Sequence, residues 1–139
     1  MPFLGGISAD ELEVSADGQW VTYTTFAESD LWRSKLDGSE RLQLTFPPIK
    51  AHEPRWSPDG KQILFADLPG RLLVVSAEGG APRQLMPTEH PDLIGAGAWL
   101  SGGNSVIFGR HMGCPAVDNP CLAIYRLDLK TERFENPRL

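Results

Sequence analysis

The sequence predicts an all-β protein made of β-propeller blades, each a sheet of four antiparallel strands. The first observation is a repeated pattern, Ser-x-Asp-Gly, found at residues 15–18 and 57–60 with a weakened third copy at 101–104, so that it recurs about every 40 residues. The second is that a short apolar run rich in strand-forming residues follows each copy. The third is that no stretch keeps the apolar period of a helix. Three blades are therefore expected in the chain.

The first blade is predicted at about residues 10–46. Its strands are expected at 12–14, 20–24, 31–36 and 41–45. In the turn after the first strand, the Asp17 carboxylate can accept hydrogen bonds from the amides ahead of it, while Gly18 can take the positive φ that closes the turn. Asp37-Gly38, between two strand-like runs, is a strong hairpin signal. We therefore assign Ser15, Asp17 and Gly18 a structural role in the turn.

The second and third blades are predicted at about residues 52–87 and 96–137. The second has strands at 54–56, 62–66, 71–75 and 83–86, and its structural turn is formed by Ser57, Asp59 and Gly60. The third has strands at 98–100, 105–109, 122–127 and 133–135, with an inserted loop at 110–120. Trp56 and Trp99 are expected on inner strands, wedged between neighbouring blades. Segment 3–7 precedes the first inner strand and could form the outer strand of a preceding or partner blade.

Composition limits the possible partners. The 139 residues are enough for one domain, and 41% of them are apolar, as in ordinary globular proteins. A net charge of −5 argues against general binding of nucleic acid, which requires a basic surface. No apolar run is long enough to cross a bilayer, and no secretory signal is visible. We expect no nucleic-acid partner, no membrane insertion and no cofactor, and a bacterial periplasmic or cytoplasmic location stays open.

The repeat also resembles a known family. The run WSPDGK at 56–61, followed by Leu73, Val75 and the run RQL at 83–85, is similar to the repeat of TolB-like β-propellers, also called WD40-like or PD40 repeats. The first unit matches through SADGQW at 15–20. More narrowly, FLGGIS at 3–8 with LWRS at 31–34 resembles propellers found behind winged-helix DNA-binding domains in bacterial regulators. The family resemblance implies a six-bladed ring, of which three blades are half.

An incomplete ring implies a partner. Three blades leave two blade faces without a neighbour, and exposed apolar faces of this kind favour association. A two-fold homodimer could complete the six-bladed ring. The alternative is that the missing blades belong to a longer chain.

One end of the propeller collects the side chains that carry chemistry. The loops from second to third strand and from each blade to the next share that end, and loops on a rigid scaffold often hold binding residues. The candidate ligand-face residues are His52, Glu53, Asp67, His90, Asp92 and His111. No metal site is predicted, because the spacing of His111, Cys114 and Cys121 fits no common zinc motif. Cys114 and Cys121 could form a disulfide or remain free thiols.

The functional expectation is a non-catalytic module that binds protein or peptide partners through these loops, as the family resemblance implies. No Gly-x-Ser-x-Gly nucleophile elbow is present, so intrinsic hydrolase activity is not expected. Two alternatives remain. The chain could be the ligand-sensing propeller of a larger transcriptional regulator, or the accessory propeller of a prolyl-oligopeptidase-like peptidase.

Overall fold

The computed structural model describes residues 9–68, 70–85, 94–112 and 121–135, which form strands and turns and no helix. The strands are β1 (Ala9–Val14), β2 (Trp20–Thr25), β3 (Leu31–Lys35), β4 (Leu42–Gln43), β5 (Ala51–Trp56), β6 (Gln62–Asp67), β7 (Arg71–Ser76), β8 (Arg83–Leu85), β9 (Ile94–Trp99), β10 (Ser105–Met112), β11 (Cys121–Asp128) and β12 (Phe134–Glu135).

The strands form three four-stranded antiparallel sheets, each following chain order: β1-β2-β3-β4, β5-β6-β7-β8 and β9-β10-β11-β12. Each sheet is one propeller blade, which we call blades 1, 2 and 3. The predicted all-β fold with four-stranded antiparallel blades is confirmed. Such meanders arise because short Gly- and Asp-containing turns connect neighbouring antiparallel strands.

The turn between the first two strands of a blade is held by a Ser–Asp pair. In blade 1, Ser15 Oγ donates to Asp17 Oδ1 (2.6 Å) and accepts from the Trp20 amide (3.0 Å). The Gly18 amide donates to the Ser15 carbonyl, and Gly18 has a φ of 73°. Blade 2 repeats this arrangement with Ser57, Asp59 and Gly60. In both turns, the carboxylate is engaged by its own loop.

The third turn lies one residue earlier than the predicted copy at 101–104. The Leu100 amide donates to the Ser105 carbonyl and the Gly103 amide to the Leu100 carbonyl, so Leu100 stands where the other blades have Ser15 and Ser57. Gly102 and Gly103 both have positive φ, 95° and 72°. Two adjacent glycines close this turn without a Ser–Asp pair, and the prediction was wrong because it aligned serines instead of backbone hydrogen bonds.

The predicted loop at 110–120 also begins too early. β10 continues to Met112, and its residues 110–112 pair with residues 121–123 at the start of β11. The hairpin is therefore longer than the sequence suggested, because strand pairing extends past the apolar run that marked β10.

Apolar side chains pack between consecutive blades. We call the face of a blade that points toward the preceding blade its leading face, and the opposite face its trailing face. The core between blades 1 and 2 contains Leu31, Leu44, Ala51, Trp56, Ile63, Phe65, Leu73, Val75 and Ala77. The core between blades 2 and 3 contains Leu64, Leu72, Val74, Leu85, Val106, Phe108, Tyr125 and Leu127.

Two tryptophans join neighbouring inner strands. Trp56 Nε1 donates to the Glu13 carbonyl of blade 1 (3.2 Å), and Trp99 Nε1 donates to the Arg55 carbonyl of blade 2 (2.9 Å). Their rings lie between blades, as predicted. An indole packed between blades needs a hydrogen-bond acceptor, and here the inner strand of the preceding blade supplies it, so each contact helps to hold the two inner strands together.

Candidate functional site

Three loops meet at one end of the propeller, which we call the loop end. They are the β2–β3 loop, the β4–β5 loop and the β6–β7 loop. The Ala51 amide donates to the Ser29 carbonyl (2.8 Å), and the Lys50 amide donates to Asp67 Oδ1 (3.0 Å). These two bonds place the β4–β5 loop between the two others. The three loops therefore form one continuous surface.

Each loop exposes one large apolar side chain. Phe26 in the β2–β3 loop is 70% exposed, Phe46 in the β4–β5 loop 59%, and Leu68 in the β6–β7 loop 61%. Single exposed apolar residues are normal on protein surfaces, and these three differ from scattered ones in lying on three adjoining loops at one end of the propeller. We call Phe26, Phe46 and Leu68 the loop-end hydrophobics. The sequence analysis did not predict them as site residues, because the only signal for them is one large apolar residue within each polar loop.

A carboxylate links blades 1 and 2 below these loops. Glu11 Oε2 accepts hydrogen bonds from the Glu53 amide (3.1 Å) and from Thr24 Oγ1 (3.3 Å), and it lies 3.7 Å from His52 Nδ1. Hydrogen bonds to an ionised carboxylate are stronger than those between neutral groups, and each donor replaces a water molecule that the carboxylate loses on burial. Glu11 was not among the predicted site residues.

Glu11 and Glu53 share an uncommon backbone conformation. β1 has a register shift between Asp10 and Glu13, β5 has one between His52 and Arg55, and the glutamates within these bulges have φ values of 49° and 53°. A residue other than glycine costs roughly 1–2 kcal/mol in the left-handed region. Bulges often redirect a side chain next to a binding site. Here the bulge of β5 leaves Glu53 exposed at the loop end.

The predicted ligand-face residues have different surroundings. His52 is half-buried beside Glu11, and Glu53 is exposed. Asp67 is 1% exposed, pairs with Arg71 and accepts the Lys50 amide, so its carboxylate is engaged in holding two loops together. The backbone of His111 lies in β10 opposite Leu122.

The remaining predictions fall outside the part of the chain whose side chains are described. His90, Asp92 and Cys114 lie outside the described residues, and for Cys121 only the backbone is described, in β11. The two cysteine alternatives therefore stay predictions.

Among the described residues of the loop end, two buried polar atoms have no hydrogen-bond partner. They are Asp30 Oδ1, in the β2–β3 loop, and His52 Nε2, in β5. Burial raises the pKa of the Asp30 carboxyl, and the nearby Glu28 carboxylate raises it further. A buried polar atom without a partner loses the free energy of a hydrogen bond, so each of these atoms can gain from a ligand that supplies one.

Further along the inner strands, Glu13 Oε2 lies 3.8 Å from Arg55 Nη1. Burial raises the pKa of the Glu13 carboxyl, while Arg55 and a backbone hydrogen bond act in the opposite direction.

Among residues 9–68, 70–85, 94–112 and 121–135, no group of three or more His, Cys, Asp or Glu side chains could hold a metal ion. In the same residues there is no helix long and apolar enough to span a membrane.

Comparisons with curated proteins identify two partial relatives. The chain is 43% identical over 63 residues to a protein named "Putative tricorn protease homolog 2" from Streptomyces coelicolor, covering 42% of this chain and 5% of that protein. It is 29% identical over 89 residues to "Uncharacterized peptidase YuxL" from Bacillus subtilis, covering 61% of this chain and 13% of that protein. The chain thus spans a small part of either relative. No protein-family model matches it.

Solved structures match over nearly the whole chain. A putative TolB from Agrobacterium tumefaciens superposes with a TM-score of 0.70 at 18% identity, covering 100% of this chain and 47% of that one. TolB from Acinetobacter baumannii superposes with a TM-score of 0.68 at 17% identity, covering 96% of this chain and 33% of that one. At this level of identity the likeness concerns the fold alone. The chain has a TolB-like β-propeller fold.

Proposed function

We propose that this chain is a non-catalytic binding module that takes a protein or peptide segment on its loop end. The observation that carries the proposal is the exposure of Phe26, Phe46 and Leu68 on three adjoining loops. Desolvating exposed apolar side chains is the main source of affinity in most protein interfaces. The loops are held by hydrogen bonds to one another, so the surface is largely formed before the partner arrives.

The polar groups around the hydrophobics limit the chemistry of the segment. Glu28 and Glu53 are exposed carboxylates, while Asp30 Oδ1 and His52 Nε2 lack hydrogen-bond partners. Together they favour a segment that combines apolar side chains with lysine, arginine or other donors. Opposite charges across such a rim add specificity and association rate more than affinity.

A random peptide library displayed on phage provides the probe, because no partner is specified in advance. Peptides selected on the full chain would be synthesised with a fluorophore, and their affinities measured by fluorescence anisotropy. We expect Phe26→Ser, Phe46→Ser and Leu68→Ser each to weaken binding about tenfold or more, as for a central apolar contact of roughly 1.4 kcal/mol or above.

Ile124→Ser is the matched control, since Ile124 is an exposed apolar side chain of blade 3 outside the loop-end set. Its affinity for the peptides should equal that of the original chain. Peptides that bind all three loop variants as tightly as the original chain would contradict the proposal, as would a library that yields no binder.

A second candidate is the accessory propeller of a peptidase. It is favoured by the names of the two relatives, a putative tricorn protease homologue and an uncharacterized peptidase. Nothing comparable favours the propeller of a winged-helix regulator. The candidates differ in what is joined to the propeller: a hydrolase domain with a nucleophilic serine would support the peptidase role, and a winged helix would support the regulator.

A further inference from the structure

The charged side chains of the loop end are unevenly distributed among its three loops. In the β2–β3 loop the charged residues are Glu28 and Asp30, and in the β4–β5 loop the charged residue is Lys50. The β6–β7 loop lies between Asp67 and Arg71, which form an ion pair with each other. The first loop is therefore acidic, the second is basic, and the charges that flank the third are balanced.

The acidic loop fixes the backbone of Asp30 and leaves one oxygen of its carboxylate without a partner. The Asp30 amide donates to Thr25 Oγ1 (3.2 Å), and the Thr25 amide donates to the Asp30 carbonyl (3.0 Å). Among the described residues, nothing donates to the buried Asp30 Oδ1. Burial raises the pKa of the Asp30 carboxyl, the Glu28 carboxylate raises it further, and no described cation opposes them. A cationic donor from a ligand would satisfy Oδ1 and favour the ionised carboxylate.

The basic side of the loop end is built around the buried carboxylate of Asp67. Its Oδ1 accepts the Lys50 amide (3.0 Å), and its Oδ2 accepts a hydrogen bond from Arg71 Nη2. Lys50 is exposed and forms no ion pair with any described residue, and the Arg71 side chain is 43% exposed. Because Asp67 neutralises only one of these two cations, this side carries a positive charge that a ligand anion can pair with. The other donors of the Arg71 guanidinium can bond the same anion.

The order of the loops separates the two kinds of charge. The Ala51 amide donates to the Ser29 carbonyl on one side of the β4–β5 loop, and the Lys50 amide donates to Asp67 on the other. The acidic loop and the Asp67 ion pair therefore lie on opposite sides of this loop. The loop-end hydrophobics come one from each loop, so apolar surface accompanies the change from acidic to basic. Glu53 lies in the inner strand β5, outside these loops.

We propose that the loop end binds a peptide segment in one direction, with a lysine or arginine of the segment at Glu28 and Asp30 and an aspartate or glutamate of the segment at Lys50 and Arg71. The inference rests on the proposed function, because the loop-end hydrophobics receive the apolar residues between the two charges. Such a segment is the occupant because it supplies, at each side of the surface, the counter-charge that no described residue supplies. The reversed segment is disfavoured because like charges would meet at both sides.

Charge changes on each side test the direction. The probes are the phage-selected peptides, synthesised with blocked ends and a neutral fluorophore so that only side chains carry charge, and measured by fluorescence anisotropy with the full chain. Glu28→Lys and Lys50→Glu should each weaken binding about three- to tenfold, since each turns an attraction between exposed charges into a repulsion. Asp30→Asn, which keeps the shape and removes the charge, should weaken it about threefold. A peptide whose basic residue is replaced by glutamate should bind Glu28→Lys more tightly than it binds the original chain.

A photo-activatable residue in the peptide locates its two ends directly. With a benzophenone side chain next to the basic residue of the peptide, cross-links should form with residues 26–30 of the chain. With the same group next to the acidic residue, they should form with residues 67–71. Mass spectrometry of the digested product would identify the sites. Cross-links in the opposite arrangement, or at the same loop from both positions, would overturn the inference.

Lys61→Glu, an exposed charge reversal in the β5–β6 turn, is the control and should leave the affinity unchanged. Thermal melts followed by circular dichroism would check that every variant folds. Binding that is weakened by the loop-end serine substitutions and unchanged by Glu28→Lys, Asp30→Asn and Lys50→Glu would overturn this inference and leave the proposed function standing. Binding that the serine substitutions also leave unchanged would overturn both.

Discussion

At the scale of single residues, four aspartates in tight turns carry lowered pKa values. For Asp17, Asp37 and Asp59 the largest cause is a hydrogen bond from the serine two residues away, and for Asp128 it is the Thr131 amide. Hydrogen bonds to a carboxylate favour its charged form. The ionised aspartates therefore stabilise their turns, and the stability of the turns decreases in acid as the carboxylates become protonated.

Asp59→Asn should destabilise the fold at neutral pH and have little effect in acid. The folded-state pKa of Asp59 lies below the ordinary 3.8, so its stabilisation is present above that pH and is lost as pH falls through the folded value. The neutral-pH cost should be below about 1 kcal/mol, because the carboxylate is exposed to solvent. Urea unfolding at several pH values would measure it. A difference in unfolding free energy between the original chain and Asp59→Asn that stays constant as the pH is lowered would contradict this account.

Residue type predicted some local structure and missed the rest. The Ser–Asp turns could be inferred because those side chains bond their own backbone at fixed spacing. The left-handed conformation of Glu11 and Glu53 could not, because glutamate carries no signal for positive φ and the conformation is imposed by bulges in β1 and β5. The sequence did not predict Glu11 as a link between blades, because its hydrogen-bond partners lie more than ten residues away along the chain.

At the scale of strands and blades, packing of an inner strand against the preceding blade determines where a small residue is required. Gly97 in β9 lies against blade 2, and a Cβ built there would be 2.7 Å from Leu64 Cδ2 and 3.1 Å from Leu72 Cδ1. No glycine conformation is needed at this position. The requirement is space, because the two leucine side chains of blade 2 lie against the backbone of β9 here.

Gly97→Ala should therefore destabilise the chain by roughly 1–3 kcal/mol, the usual cost of overpacking a core. The loss should be much smaller in a Leu64→Ala background, where the crowded methyl group is absent. Ala98→Ser, at an exposed neighbour in β9, is the control and should change little. Double-mutant analysis of thermal or urea unfolding would give the coupling, and additive effects of Gly97→Ala and Leu64→Ala would contradict the packing argument.

The order of the strands could be predicted from the sequence, whereas the irregular parts of blade 3 could not. Apolar alternation and turn residues mark strands locally. The turn at Leu100 and the extension of β10 to Met112 depend on which backbone groups pair across the sheet. Those pairings are tertiary, and residue spacing alone does not report them.

At the scale of the whole molecule, the loop end and the trailing face of blade 3 are two different surfaces of the three-blade assembly. The loop end carries exposed apolar side chains and polar atoms without partners, while the trailing face of blade 3 carries Arg126 and Ile124. The sequence could indicate three blades, because copies of a repeat can be counted. It could not indicate the loop-end hydrophobics, since exposure is a property of the folded loops.

The central claim is that the loop end, and not a blade face, receives the partner segment. Hydrogen–deuterium exchange of the full chain, with and without a selected peptide, tests it most directly. The account predicts that the peptide slows exchange at residues 26–30, 46–50 and 67–71 and leaves β10 and β11 unchanged. Protection confined to β10 and β11, with none in the three loops, would contradict it.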